Sequence, residues 1–202
     1  MRFDSVTFDL DGTMLDTVAD LAEACRLMLE DVGAPPRSLA EIHSFVGKGM
    51  AILVERCLTR EHPPTAEQMH AAIDSFKHHY TETNGRFAQI YPGVLEGLKA
   101  WKASGVKMGV VTNKPGMFTE ALLERMGMTD YFDVIVSGDT TAYKKPHPEP
   151  LLHACGLFDV RPESNLHIGD SQNDIEGAPV RAEDCDGLVE NLEAALRLAR
   201  QG

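Results

Sequence analysis

Apolar and polar positions along the chain follow two alternating rhythms. Short β-branched runs at 3–8, 106–111, 132–136 and 165–168 predict strands, with a weaker one around Leu188-Val189. Helical runs separate them. One follows Tyr91-Pro92-Gly93, carries Leu95, Leu98 and Trp101, and is stopped by Gly105. A second extends from about Gly116 to Met126 before Gly127. A third begins near Pro148, includes Leu151, Leu152 and Cys155, and is expected to end at Gly156. Strands alternating with helices predict an α/β fold built on a parallel sheet.

Between Asp16 and Gly85 the strand rhythm disappears and only helical periodicity remains. Leu21, Ala24, Met28, Leu29 and Val32 share one face, and Met50, Leu53, Val54, Cys57 and Leu58 share another. Met69, Ile73, Phe76 and Tyr80 form a third, opened by Thr65 with Gln68 in a capping-box pattern. These stripes predict helix–helix packing. Pro35-Pro36 and Pro63-Pro64 read as loops between the helices. The chain thus divides into a core of residues 1–15 and 86–202 and a helical insert of residues 16–85.

Composition narrows the function classes. The 202 residues carry 19 basic against 31 acidic side chains, a formal net charge of −12, which repels nucleic acid and anionic membrane. No apolar run reaches the roughly 18 residues of a membrane span, and Met1-Arg2-Phe3-Asp4 enters a strand without a signal-peptide pattern. Cytoplasm is the expected location. Cys25, Cys57, Cys155 and Cys185 are scattered without metal-ligand spacing and predict buried, reduced thiols.

The candidate chemistry gathers where strands end, the usual ligand site of open α/β sheets. Phe8-Asp9-Leu10-Asp11-Gly12-Thr13 places Asp9 and Asp11 directly after the first strand, with a glycine to turn the chain. Val110-Val111-Thr112-Asn113 closes a second strand. Lys144-Lys145-Pro146-His147-Pro148 and Gly169-Asp170-Ser171-Gln172-Asn173-Asp174 follow in order. His62, His78 and His79 read as solvent-facing, and neither His147 nor His167 has ligand spacing.

These four ordered motifs resemble those of the haloacid dehalogenase superfamily of phosphohydrolases, over nearly the whole chain. The resemblance implies a Rossmann-like parallel-sheet core with a helical cap inserted after the first strand. It implies that Asp9 is the nucleophile, forming an aspartyl-phosphate, and that Asp11 is the general acid and base. It also implies Mg²⁺ as cofactor, held by Asp9, Asp170 and the Asp11 carbonyl, with Asp174, four residues past Asp170 and on the same face if that turn is helical, as a metal-orienting group. Thr112 and Asn113 would donate to the phosphoryl group and Lys145 would supply positive charge, Lys144 being a surface residue.

Gly47-Lys48-Gly49 opens a cap helix, where consecutive N–H groups can meet an anion. Phe45-Val46-Gly47-Lys48-Gly49 with Leu53-Val54-Glu55-Arg56, and Asn113-Lys114-Pro115, are similar to phosphoglycolate phosphatases, which implies that Lys48 meets a substrate carboxylate. The expected activity is Mg²⁺-dependent hydrolysis of a small phosphorylated metabolite, 2-phosphoglycolate above others, by a monomer or weak dimer. A sugar phosphomutase similar to β-phosphoglucomutase shares the motifs, and a non-catalytic phosphate-binding homologue is the other alternative. A signalling receiver domain lacks both the insert and the fourth motif. The family continues beyond that motif with a helix, a strand and a glycine-rich loop. Here Asp174-Ile175-Glu176 meets Gly177-Ala178-Pro179 almost at once, and 174–186 holds no apolar run to supply the strand. A segment absent near Glu176–Pro179 is therefore expected.

Overall fold

Four parallel strands form the centre of the computed structural model, which describes residues 3–178. In chain order the first half comprises β1 (Ser5–Phe8), β2 (Leu15–Asp16), α1 (Val18–Asp31), α2 (Leu39–Phe45), α3 (Met50–Leu58) and α4 (Ala66–Thr83). The second half comprises β3 (Gln89–Ile90), α5 (Val94–Ala103), β4 (Lys107–Val111), α6 (Gly116–Arg125), β5 (Val134–Val136), α7 (Glu149–Phe158), β6 (Asn165–Ile168) and α8 (Gln172–Gly177). The main sheet has the order β5-β4-β1-β6. The connection reverses direction across β1, which opens a crevice at its carboxyl end. Cys185 and the strand expected at Leu188-Val189 lie outside the described residues.

Strand β1 shows why the sheet has this register. Val6 and Phe8 are wholly buried, with Phe8 meeting Trp101 and Phe132 edge-on. Ser5 and Thr7 face the other way and are buried as well. Their hydroxyls would be stranded there without partners. Pairing β1 with β6 sets Ser5 beside Asn165 and Thr7 beside His167. Ser5 Oγ donates to Asn165 Oδ1 at 2.8 Å, and Thr7 Oγ1 lies 3.0 Å from His167 Nδ1. A one-residue slip would break both.

The insert builds an apolar centre of its own. Leu21, Ala24 and Met28 of α1 pack with Leu53 and Val54 of α3 and with Phe76 and Tyr80 of α4. The apolar stripes read from the sequence all face this centre. Phe118 of α6 joins it, its ring 4.8 Å from that of Tyr80, so the insert rests on the core through an apolar contact. Cys25, Cys57 and Cys155 are buried free thiols. Among the described residues, no helix is long and apolar enough to cross a membrane.

Three local features depart from the sequence expectation. Helix α2 was not anticipated, although Ser38 and Glu41 complete a capping box at its start. Helix α7 runs past Gly156 to Phe158 and closes at Asp159 in the left-handed region, φ 55°. Strands β2 and β3 hold two residues each, too short for any periodicity, and pair antiparallel where the chain leaves for the insert and returns.

Asp20 secures that crossing. It is fully buried, and its carboxylate accepts from the backbone N–H of Gly85 at 2.7 Å and of Phe87 at 2.6 Å. Stranding a buried donor costs about 1–3 kcal/mol. Asp20→Ala should therefore lower the unfolding free energy by at least about 2 kcal/mol, read as a reduced urea midpoint. An unchanged midpoint would mean that water serves these amides equally well.

Candidate active site

The ends of β1, β4 and β6 converge on one cluster of carboxylates. Asp9 directly follows β1, and Asp170 lies two residues beyond β6. From Leu10 to Leu15 the chain folds into a tight turn, with Met14 N and Leu15 N both donating to Leu10 O. Two glycines let the loops approach. A Cβ on Gly12, whose φ is +89°, would lie 2.6 Å from Asp170 Oδ2. One on Gly169 would lie 2.2 Å from Asp174 Cγ. Thr13 Oγ1 donates to Asp170 Oδ1 at 2.7 Å and fixes its direction. Oxygens of Asp9, Asp170 and Asp174 all fall within 4.8 Å of one another, a hard-oxygen set that fits a magnesium ion.

Lys145 balances this charge. Its ammonium donates to Val111 O and to Asp174 Oδ1, each at 2.6 Å, and lies 3.1 Å from Asp9 Oδ1. Three acceptors match three N–H bonds. Lys144 remains exposed, as expected. Burial pushes the Asp9 carboxyl up to about 6, against the opposing pull of Lys145. Burial would also lower the Lys145 ammonium, but Asp9 and Asp174 hold it above the usual lysine value.

Asp174 sits inside α8, whereas Asp170 precedes that helix, so the condition for a shared helical face is not met. Asp174 acts as a hub instead. Its Oδ1 takes Lys145 and His167, and its Oδ2 takes the backbone N–H and hydroxyl of Ser171. Burial disfavours its ionised form, yet His167 and Lys145 together hold its carboxyl well below the ordinary range. The spacing of histidines gave no hint of His167. A carboxylate can only accept, so His167 Nε2 carries the proton and Nδ1 accepts from Thr7. Burial lowers the pKa of this imidazole and keeps it neutral.

The second motif divides its work between side chains. Thr112 is buried at the end of β4, and its hydroxyl accepts from Lys114 N while keeping its own proton to donate. Asn113 is committed elsewhere. Its Nδ2 donates to Gly47 O and Lys145 O, and its Oδ1 accepts from Lys145 N. The Asn113 side chain thus docks the insert onto the core, which leaves its backbone N–H as the group to make the expected donation to a phosphoryl oxygen. Asn173 Nδ2 reaches the same Gly47 carbonyl at 3.2 Å.

Asp9, Asp11, Gly47, Gly49, Thr112 and Asn113 border one cavity of about 40 Å³ between insert and core. That is room for about two or three waters. Lys48 is exposed and does not line it. Lys114 does, with its side chain only 3% exposed. Its ammonium donates to Asp11 Oδ1 and Oδ2 at 3.1 and 3.3 Å and to the Tyr80 hydroxyl of α4. Thr17 Oγ1 also donates to Asp11 Oδ1, at 2.6 Å.

A family model described as haloacid dehalogenase-like hydrolase matches residues 6–181. The phosphoglycolate phosphatase of Thiobacillus denitrificans is 42% identical over 217 aligned positions, covering 97% of this chain and 96% of its own. That of Nitrosospira multiformis is 39% identical, covering 98% and 96%. A crystal structure from Haemophilus somnus, described as a predicted phosphoglycolate phosphatase, superposes with a TM-score of 0.83 at 33% identity. It covers 88% of this chain and 81% of that one. The 217 positions of the first alignment exceed the 202 residues here, so that relative carries residues without a counterpart in this chain.

The neutral state of His167 has a thermodynamic consequence. Its folded pKa lies below the ordinary 6.5, so as pH falls through that value the unfolded chain takes up a proton that the folded protein refuses. Stability is retained above 6.5 and lost below it, at up to about 1.4 kcal/mol per pH unit. His167→Gln, which keeps a donor for Asp174 and does not titrate, should flatten this slope in urea unfolding of the metal-free protein. Equal slopes between pH 7 and 5.5 would mean that the folded protein carries a protonated His167.

Proposed function

This chain belongs to the haloacid dehalogenase-like hydrolases, and on that premise we propose that it is a magnesium-dependent phosphatase converting 2-phosphoglycolate to glycolate and phosphate. The observation that carries this reading is the separate pairing of two carboxylates with two buried lysines. Asp9 lies against Lys145, and Asp11 lies against Lys114. One carboxylate is thereby set up to attack while the other handles protons.

In this reading Asp9 attacks the phosphorus in line and becomes an aspartyl-phosphate, and the bond to the ester oxygen breaks. Asp11, aimed by the Thr17 hydroxyl and Lys114, must enter this step carrying a proton, which it gives to the departing alkoxide. It then takes one from the water that attacks the aspartyl-phosphate. Lys145 places its charge beside the phosphoryl oxygens, and Thr112 offers them a hydroxyl hydrogen bond. Asp9, Asp170 and the Asp11 carbonyl would hold magnesium, with Asp174 orienting the group through Lys145. The ion supplies positive charge that offsets the phosphoryl oxygens.

The choice of substrate follows the names of the relatives and is supported by the cavity. Its walls include Leu21, Val46, Met50, Leu53, Phe76 and Phe118. These apolar side chains, all but Phe118 on the insert, offer no partners to the hydroxyls of a sugar, which disfavours the phosphomutase alternative.

Assay of a phosphomonoester panel, with magnesium and with EDTA, tests the reading. Activity should be highest on 2-phosphoglycolate and vanish with EDTA. Uncatalysed monoester hydrolysis is so slow that enzymes supply up to about 10²¹-fold acceleration, so Asp9→Asn should leave almost no turnover. A variant retaining about a tenth of the activity would rule out the covalent route, since losing a required nucleophile leaves far less.

A further inference from the structure

Lys114 is more than a support for Asp11. Among the described residues lining the cavity, it is the sole cationic side chain, the other fourteen being apolar, acidic, neutral polar or glycine. Its ammonium has three acceptors, as that of Lys145 has, but they include one carboxylate where Lys145 has two. Asp11 lies at 3.1 and 3.3 Å, longer than charge-assisted hydrogen bonds prefer. The remaining partner is the neutral phenol of Tyr80, whose ionisation is pushed far up by burial. A buried cation with one loosely held carboxylate favours a second anion.

We propose that Lys114, held toward the cavity by Tyr80 of α4, binds the carboxylate of a substrate whose acid group sits one carbon from the ester oxygen. The inference rests on the phosphatase reading above and names what that site selects. Distance sets the spacing. Asp11 must reach the ester oxygen, and Lys114 touches Asp11 directly. An anion that meets Lys114 while the ester oxygen meets Asp11 is therefore separated from it by very few bonds. A longer phosphoester would drive its distal anion past Lys114 into the apolar wall at Phe76 and Phe118, where its desolvation is uncompensated. The net charge of −12 sharpens this, because a substrate with two anionic groups is repelled overall and needs a local cation. Lys48, exposed and outside the cavity lining, does not meet the requirement.

The test compares 2-phosphoglycolate with its neutral isostere, 2-phosphoglycolamide, in the magnesium-loaded enzyme. The wild type should prefer the acid by about 10–100-fold in kcat/KM, the worth of one hydrogen bond to a charged group. In Lys114→Met the ratio should collapse toward unity, with the loss on the acid expressed mainly in KM. Any weakening of Asp11 lowers both substrates together and cancels in the ratio. Tyr80→Phe, which keeps the cation and removes its guide, should give an intermediate ratio. Thermal melts establish folding, and Lys114→Gln carries the same comparison if the methionine variant does not fold. A wild type that shows no preference for the acid overturns the substrate reading itself. A wild type that prefers the acid, with variants of Lys114 that keep the preference, leaves that reading standing and overturns the role of Lys114.

Discussion

Everything at this site is arranged around one buried ammonium. Lys145 arrives on the loop before α7, yet its three acceptors come from elsewhere: Val111 ends β4, Asp9 follows β1, and Asp174 lies in α8 beyond β6. A charge so deeply placed is tolerated only when its partners are all present. The ammonium therefore ties together three strand ends that the sheet alone would leave free to splay. Behind it, His167 and Ser171 complete the shell of Asp174, Thr7 meets the other nitrogen of His167, and Asn165 in turn donates to Thr7. The polar face of β1 and β6 and the catalytic cluster form one connected network. Stability and chemistry draw on the same hydrogen bonds.

The insert enters this network at two places of different character. At Gly47, a single backbone carbonyl receives amides from Asn113, on the loop after β4, and from Asn173, in the first turn of α8. At Tyr80, a phenol on α4 receives Lys114, which in turn holds Asp11. The first contact involves only backbone on the insert side and so constrains the path of the loop more than its sequence. The second depends on a particular side chain, and it links the helical layer directly to the residue assigned to proton transfer.

The sequence made the strands and the acidic cluster legible because both are local. Phe8-Asp9-Leu10-Asp11-Gly12-Thr13 and Gly169-Asp170 need only a strand and a turn to place their carboxylates, and the structure brings Asp9, Asp170 and Asp174 together. The stripes of Leu21, Leu53 and Phe76 needed only helical periodicity to announce a buried face. What escaped was non-local. Lys114 and Asp11 are far apart in the chain, and although Asn113-Lys114-Pro115 stands out as a string, the pairing of Lys114 with Asp11 shows only once Tyr80 is folded over it. His167 has no ligand spacing because its partners, Thr7 and Asp174, come from a neighbouring strand and a helix. Asn113 lies in the right loop, but only the folded loop shows both ends of its side chain occupied. Strands β2 and β3 are below the length at which alternation carries information.

The seating of the insert bears on kinetics. Parting the two layers at the cavity breaks the Asn113 and Asn173 bonds to the Gly47 carbonyl and the Lys114 bond to Tyr80. At about 0.5–1.5 kcal/mol net for each bond, a form with all three broken is held to roughly one molecule in ten to one in a few thousand. A ligand that bound only such a minor form would have its apparent affinity reduced by that population. For such a ligand a viscous solvent would matter less to capture than the frequency with which the two layers part.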